Sequence, residues 1–138
     1  MSAAPRPYTL VAELTYACPL RCAYCSNPVS VQQRAAPLDV TDWQRVIREA
    51  EALGVLQVHF TGGEPLLHPD LEQLVVEAHA ADLYVNLITS GVPLSRERLT
   101  RLQQAGLDHL QLSLQAVSEG KSRQIAGVDA LARKRQVA

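Results

Sequence analysis

Apolar residues along the chain follow two alternating rhythms. Four short stretches rich in β-branched and apolar residues read as strands: YTLVAELTY (8–16), VLQVHF (55–60), LYVNLITS (83–90) and LDHLQLSLQ (107–115). Between them the spacing turns helical. Trp43, Val46, Ile47, Ala50 and Leu53 form one stripe, opened by Thr41 with Gln44 as a capping box and closed by Gly54. Leu71, Leu74, Val75 and Ala78 form a second, after Pro69, a residue suited to a first helical turn. Ser95 caps a third helix, with Leu94 and Leu99 placed as a hydrophobic staple and Leu102 and Ala105 carrying the stripe to Gly106. After Gln115 the rhythm fades. Residues 116–138 are polar, punctuated by Gly120 and Gly127, and predict one further helix from about Asp129. The charged run from Lys121 to Arg135 reads most simply as a solvated face, with a docking surface as the alternative.

Strands alternating with helices predict βαβ units, a parallel sheet and right-handed crossovers, so the fold class is α/β with about four βα units. The segments that carry chemistry all fall at strand C-terminal ends. CPLRCAYC follows the first strand, TGGEP the second, TSG ends the third and SLQ the fourth. In barrels and open sheets alike, that edge is where sites are built. There is no internal repeat beyond the βα unit and no linker rich in Gly and Ser.

Composition narrows the chemistry. A chain of 138 residues, 47% hydrophobic and 20% charged, is expected to form one globular domain, and a net charge of -1 sets up no field to attract nucleic acid or an anionic membrane. No run of about eighteen apolar residues occurs and the first ten residues lack a signal-peptide pattern, so the expected location is the cytoplasm, where thiols stay reduced. All three cysteines, Cys18, Cys22 and Cys25, lie within eight residues. A disulfide framework wants an even count and an oxidising compartment. A structural zinc site wants four ligands, and the nearest histidine in sequence is His59, so a non-catalytic zinc module stays an alternative without a local fourth ligand. An iron-sulfur cluster takes thiolates, and three of them on a four-iron cluster leave one iron open to a ligand. His59, His68, His79 and His109 read as core, loop, helix and rim positions, not as ligands.

CPLRCAYC has C-x3-C-x2-C spacing with Tyr24 before its last cysteine, and GGEP (62–65) follows about forty residues later, each behind an expected strand. Together they resemble the radical S-adenosylmethionine (SAM) enzymes. Longer strings, ELTYACPLRCAYCSNP (13–28), FTGGEPLLHPDL (60–71), LYVNLITSG (83–91) and AGLDHLQLSLQA (105–116), are similar, in the same order, to the pyrroloquinoline quinone (PQQ) biosynthesis protein E family, with QIAG (124–127) a weaker echo. The resemblance implies a partial (β/α) barrel, with residues 1–138 as the N-terminal part of the core domain and the C-terminal auxiliary-cluster domain absent.

It further implies that Cys18, Cys22 and Cys25 hold a 4Fe-4S cluster whose open iron SAM chelates through its amino and carboxylate groups. Gly62, Gly63 and Glu64 would line the methionine end, with Glu64 accepting from the SAM ammonium. Thr89 and Ser90, with Ser113 and Gln115 on the next strand, would meet the carboxylate or ribose, and Tyr24 would support the adenine. The implied reaction is that of an oxidoreductase. A 5′-deoxyadenosyl radical takes hydrogen from a glutamate side chain of a PqqA-like precursor peptide, presented by a small PqqD-like carrier, and that carbon joins a tyrosine ring. Another radical SAM peptide or cofactor maturase is the alternative within the same chemistry.

Overall fold

Four strands lie side by side in sequence order, each pair parallel: Thr9–Thr15 (β1), Gln57–Gly62 (β2), Tyr84–Thr89 (β3) and His109–Leu112 (β4). The computed structural model describes residues 5–27 and 38–138. Helices Val40–Ala52 (α1), Leu71–Ala80 (α2) and Arg96–Ala105 (α3) connect the strands. Sequential strand order with one helix per connection is the progression of a (β/α) barrel, so the expected partial barrel of four βα units is what the chain forms.

Strand alternation sorts side chains onto two faces. Ala12, Leu14, Val58, Phe60, Val85 and Leu87 point to the helices and are buried, packed with Ile47, Leu71, Leu74, Val75, Ala78 and Leu102. On the other face, register pairs Val11 with His59, His59 with Asn86, and Asn86 with His109. That row is polar. His109 Nδ1 lies 2.8 Å from Asn86 Oδ1, and Asn86 Nδ2 lies 3.2 Å from His59 Nδ1, so both histidines spend a ring nitrogen within the sheet.

Local signals place most helix ends. Ser95 accepts from the Arg98 amide at 3.1 Å, as a cap should, and Gly54 and Gly106 follow the ends of α1 and α3. The start of α1 departs from expectation. Its cap is Asp39, whose Oδ1 accepts from the Asp42 amide at 2.8 Å, while Thr41 lies inside the helix. A carboxylate facing the positive helix end is the stronger acceptor, so the helix begins two residues earlier. Leu53 is 61% exposed, and the buried stripe of α1 therefore ends at Ala50.

The tail departs more. In place of one helix and a solvated face, it forms Glu119–Ala126 (α4) and Leu131–Val137 (α5), with Ser122, Ala126, Ala130, Leu131 and Lys134 buried. The Arg21 amide donates to the Ala126 carbonyl and the Ala23 amide to the Ile125 carbonyl, both at 2.8 Å. The loop so held is the cysteine loop.

Candidate functional site

The cysteine loop sits where it does because two glycines let backbone meet backbone. The Gly63 amide donates to Thr15 O at 2.6 Å and the Glu64 amide to Ala17 O at 2.8 Å, which fastens the run-in to Cys18 onto the end of β2. Gly62 has φ +129°, and a Cβ there would lie 2.4 Å from Thr15 O. A Cβ on Gly63 would lie 2.4 Å from Ala17 O and 2.6 Å from Tyr16 O. Both positions therefore need glycine for a reason internal to the chain. A register shift in β1 between Glu13 and Thr15 turns the strand end toward this seat.

Above the seat lies a cavity of about 390 Å³. Cys18, Cys22 and Cys25 line it from the loop, Gly62 and Gly63 from β2, Thr89 and Ser90 from β3, and Ser113 and Gln115 from the end of β4. Tyr24 borders it and is 66% exposed. Sequence reasoning missed Thr61 and Ile88, which continue the inner face of β2 and β3 into the same space, and Leu20, Ser26 and Asn27 of the loop. Strand alternation marks Thr61 and Ile88, two residues beyond His59 and Asn86, as inner-face positions. The loop residues carry no such signal.

Glu64 is placed differently from its neighbours. It is fully buried beneath the cavity, where its Oε1 accepts from the Leu66 amide at 3.1 Å and the Thr89 hydroxyl at 2.6 Å. Oε2 accepts from the Ser90 amide at 2.9 Å and from the Ser90 hydroxyl. A carboxylate offers about four acceptor positions, and these donors fill them. The residues expected to share a ligand thus first bind each other, joining the turn Pro65–Leu67 to the end of β3. Arg98 extends this tie by donating to the carbonyls of Leu66 and His68 and to Glu72.

Lys134 is the polar residue that sequence reasoning did not find. It has no exposed surface, and its Nζ donates to Ser113 O at 2.8 Å and to Gln115 Oε1. In sequence it stands inside a run of basic residues and looks solvated. Its only local signal is helical spacing from Ala130 and Leu131, both buried.

The three cysteines are free thiols, Cys18 and Cys22 half-buried and Cys25 exposed. Burial first, and then the charges of Glu64 and the other two cysteines, push the Cys18 thiol up, against the Leu20 amide. Burial and Cys25 do the same to Cys22, while Lys134 opposes them. Thiols that repel one another on ionisation fit a cationic core that would reward all three thiolates at once. Among the described residues no three His, Cys, Asp or Glu side chains gather tightly enough for a single metal ion. Donors spread around a cavity suit a cluster in which each thiolate takes a different iron.

The sequence profile of the Radical SAM superfamily matches residues 12–135. The PqqA peptide cyclase of Gluconobacter oxydans (strain 621H) is 53% identical over 122 residues, which span 88% of this chain and 34% of that protein. The chain thus spans about a third of the length of the curated relatives it matches. Among solved structures, Streptococcus suis SuiB bound to its precursor peptide SuiA superposes with a TM-score of 0.83 at 23% identity, over 96% of this chain and 29% of that one. SuiB bound to S-adenosylmethionine matches with the same score and identity, over 96% and 30%. Those likenesses carry the fold alone. No helix among the described residues is long and apolar enough to cross a membrane. With the parallel half-barrel, the three-cysteine loop on its C-terminal rim and a profile match across nearly all of its length, the chain belongs to the radical SAM superfamily.

Proposed function

We propose that residues 1–138 are the N-terminal part of the core domain of a PQQ maturase, an oxidoreductase that cross-links a glutamate and a tyrosine of a PqqA-like precursor peptide. The observation that carries this reading is the rim cavity: three free thiols from one short loop face the ends of β2, β3 and β4 across a single space. About half of the residues are identical to named PqqA peptide cyclases along this part of the chain, which supports the choice of substrate.

In this reading Cys18, Cys22 and Cys25 ligate a 4Fe-4S cluster and SAM occupies the rest of the cavity. Cluster and SAM together supply reductive cleavage of the sulfonium C–S bond and a 5′-deoxyadenosyl radical that abstracts hydrogen. The chain's own residues bind and orient. Gly62 and Gly63 bring backbone under the methionine end. Ser113 and Gln115 offer polar groups from β4, and Tyr24 covers the adenine side. Glu64 and Thr89 fix the floor, since Glu64 holds the last residues of β3 in place. A PqqD-like carrier would present the peptide. Cross-linking belongs to the longer protein, whose auxiliary-cluster domain lies outside this sequence.

The deciding experiment is anaerobic reconstitution of the chain followed by iron, sulfide and zinc analysis. About four irons with matching sulfide are expected, lost in Cys18→Ala, Cys22→Ala or Cys25→Ala. SAM binding by equilibrium dialysis should depend on that cluster. One zinc per chain without labile sulfide would make the site a zinc module.

A further inference from the structure

Turned away from the helices, the inner face of the sheet carries a hydrogen-bonded row of three side chains, His59 of β2, Asn86 of β3 and His109 of β4. Asn86 is buried, and its amide sets the protons of both rings. With Nδ2 toward His59 and Oδ1 toward His109, as the structure assigns them, it donates to His59 Nδ1 and accepts from His109 Nδ1. A neutral imidazole has one N–H, so that of His59 stands on Nε2. That atom is buried, and among the described residues nothing accepts from it. A buried donor left unmade costs stability. The row therefore fixes His59 in place by its own bonds and leaves one donor over, and the missing partner is an acceptor.

Thr61 and Ile88, two residues further along the same face of β2 and β3, line the rim cavity, so the row lies one layer below it, roughly 6–7 Å along the strands. Val11 and Tyr84 share that face and are exposed, which offers apolar neighbours to the stem of whatever group reaches the row. Glu13, the one acidic side chain on this face among the described residues, stands beside Thr61 in the upper layer and repels a second acid there. We propose that the row of His59, Asn86 and His109 is a substrate subsite that holds the carboxylate of the peptide's glutamate, with His59 Nε2–H as its donor. This rests on the reading of the substrate as a glutamate side chain that loses hydrogen to a radical formed in the cavity. In that side chain the methylene carbons lie one and two bonds from the carboxylate. Holding the acid one layer down thus presents a methylene at the cavity floor, and the same bond that selects the residue orients it for the radical.

Nitrogen NMR of the chain with labelled histidines shows which ring nitrogen carries each proton and which responds to a ligand. The probes are the blocked tripeptide Ala-Glu-Ala and its glutamine counterpart, with affinity read from the peptide's own signals. The glutamate peptide should shift His59 Nε2 saturably and bind about tenfold more tightly than the glutamine one, because hydrogen bonds to an ionised acceptor are roughly twice as strong as neutral ones. His59→Phe keeps a ring without a donor and should bind both peptides equally weakly, with circular dichroism and iron content unchanged. His59→Gln sets an amide N–H near the place of Nε2 and should restore the preference. A parent that binds neither peptide or both alike, a His59 proton found on Nδ1, or a His59→Phe chain that keeps the preference overturns the proposal. Should His59→Phe fail to fold, the parent's spectra decide: a glutamate-specific shift centred on His59 Nε2 supports the subsite, and one centred on another histidine overturns it. Iron and sulfide counts on the same reconstituted chain report the cluster separately. Glutamate preference without iron keeps the acid subsite and sinks the cluster reading, and iron without preference does the reverse.

Discussion

On the helix side of the sheet, Val58, Phe60, Val85 and Leu87 have no exposed surface and meet Leu71, Leu74 and Val75, which have none either. At the rim, Cys25 and Tyr24 are exposed, Cys18 and Cys22 are half-buried, and the loop that carries them is held by Gly62, Gly63 and the helix Glu119–Ala126 from the far end of the chain. The first region is apolar and built from neighbouring βα units. The second is held mainly by backbone hydrogen bonds between segments remote in sequence, with a small apolar patch of Leu20, Ala126 and Ala130 beneath it. Stability should therefore reside in the helix side and ligand chemistry in the rim, and the two should fail separately.

The largest effect comes from breaking the helix side. Phe60→Ala removes a wholly buried ring between β2 and its covering helices, and should cost about 3–5 kcal/mol of unfolding free energy. Urea unfolding followed by circular dichroism measures it. A loss under 1 kcal/mol would mean that this core can collapse onto the cavity, against its present packing.

A smaller stability effect with a larger functional one is expected at the rim. Gly63→Ala sets a methyl against the carbonyls of Tyr16 and Ala17, neither of which can rotate away as a side chain would. Forcing a methylene-sized group into packed backbone typically costs about 1–3 kcal/mol. The strain falls on the segment that leads into Cys18, so iron retention after reconstitution should drop further than the unfolding midpoint does. Equal losses in both would erase the distinction between the regions.

That distinction also explains what the sequence made legible. The stripes Leu71–Leu74–Val75–Ala78 and Leu94–Leu99–Leu102 announce their helices because each buries one face, and the run of apolar residues in 83–90 marks β3, which is buried along most of its length. Cysteine spacing and GGEP announce the site because ligand geometry constrains neighbours in sequence. The helix Glu119–Ala126 and Lys134 announce nothing, since their partners are Arg21 and Ala23 for the one and Ser113 and Gln115 for the other, fixed only once the barrel edge has formed. The use of Glu64 was hidden for a related reason. A glutamate after two glycines looks free until Thr89 and Ser90 arrive from β3 with their donors.

The smallest effect sharpens the comparison from the pH axis. Arg98 of α3 donates through Nε to Glu72 Oε1 of α2 at 3.0 Å, tying two helices on the covered side. Burial pushes the Glu72 carboxyl up, but the hydrogen bonds and charge of Arg98, helped by Arg101, outweigh it and hold the group below its ordinary value of 4.5. The unfolded chain then binds the proton more tightly than the folded one. The stabilisation is fully present above the unfolded value and is lost as pH falls through the lower, folded value. For a pair only partly shielded from water it should be about 0.5–1 kcal/mol at neutral pH. Glu72→Gln should therefore differ from the parent by that amount in unfolding free energy near pH 7, with the difference closing in acid. Iron content after reconstitution at neutral pH should match the parent, because the turn carbonyls of Leu66 and His68 keep Arg98 in place without Glu72. A Glu72→Gln chain that folds normally but holds less iron would show that the covered side transmits strain to the rim, and the two regions would have to be treated as one.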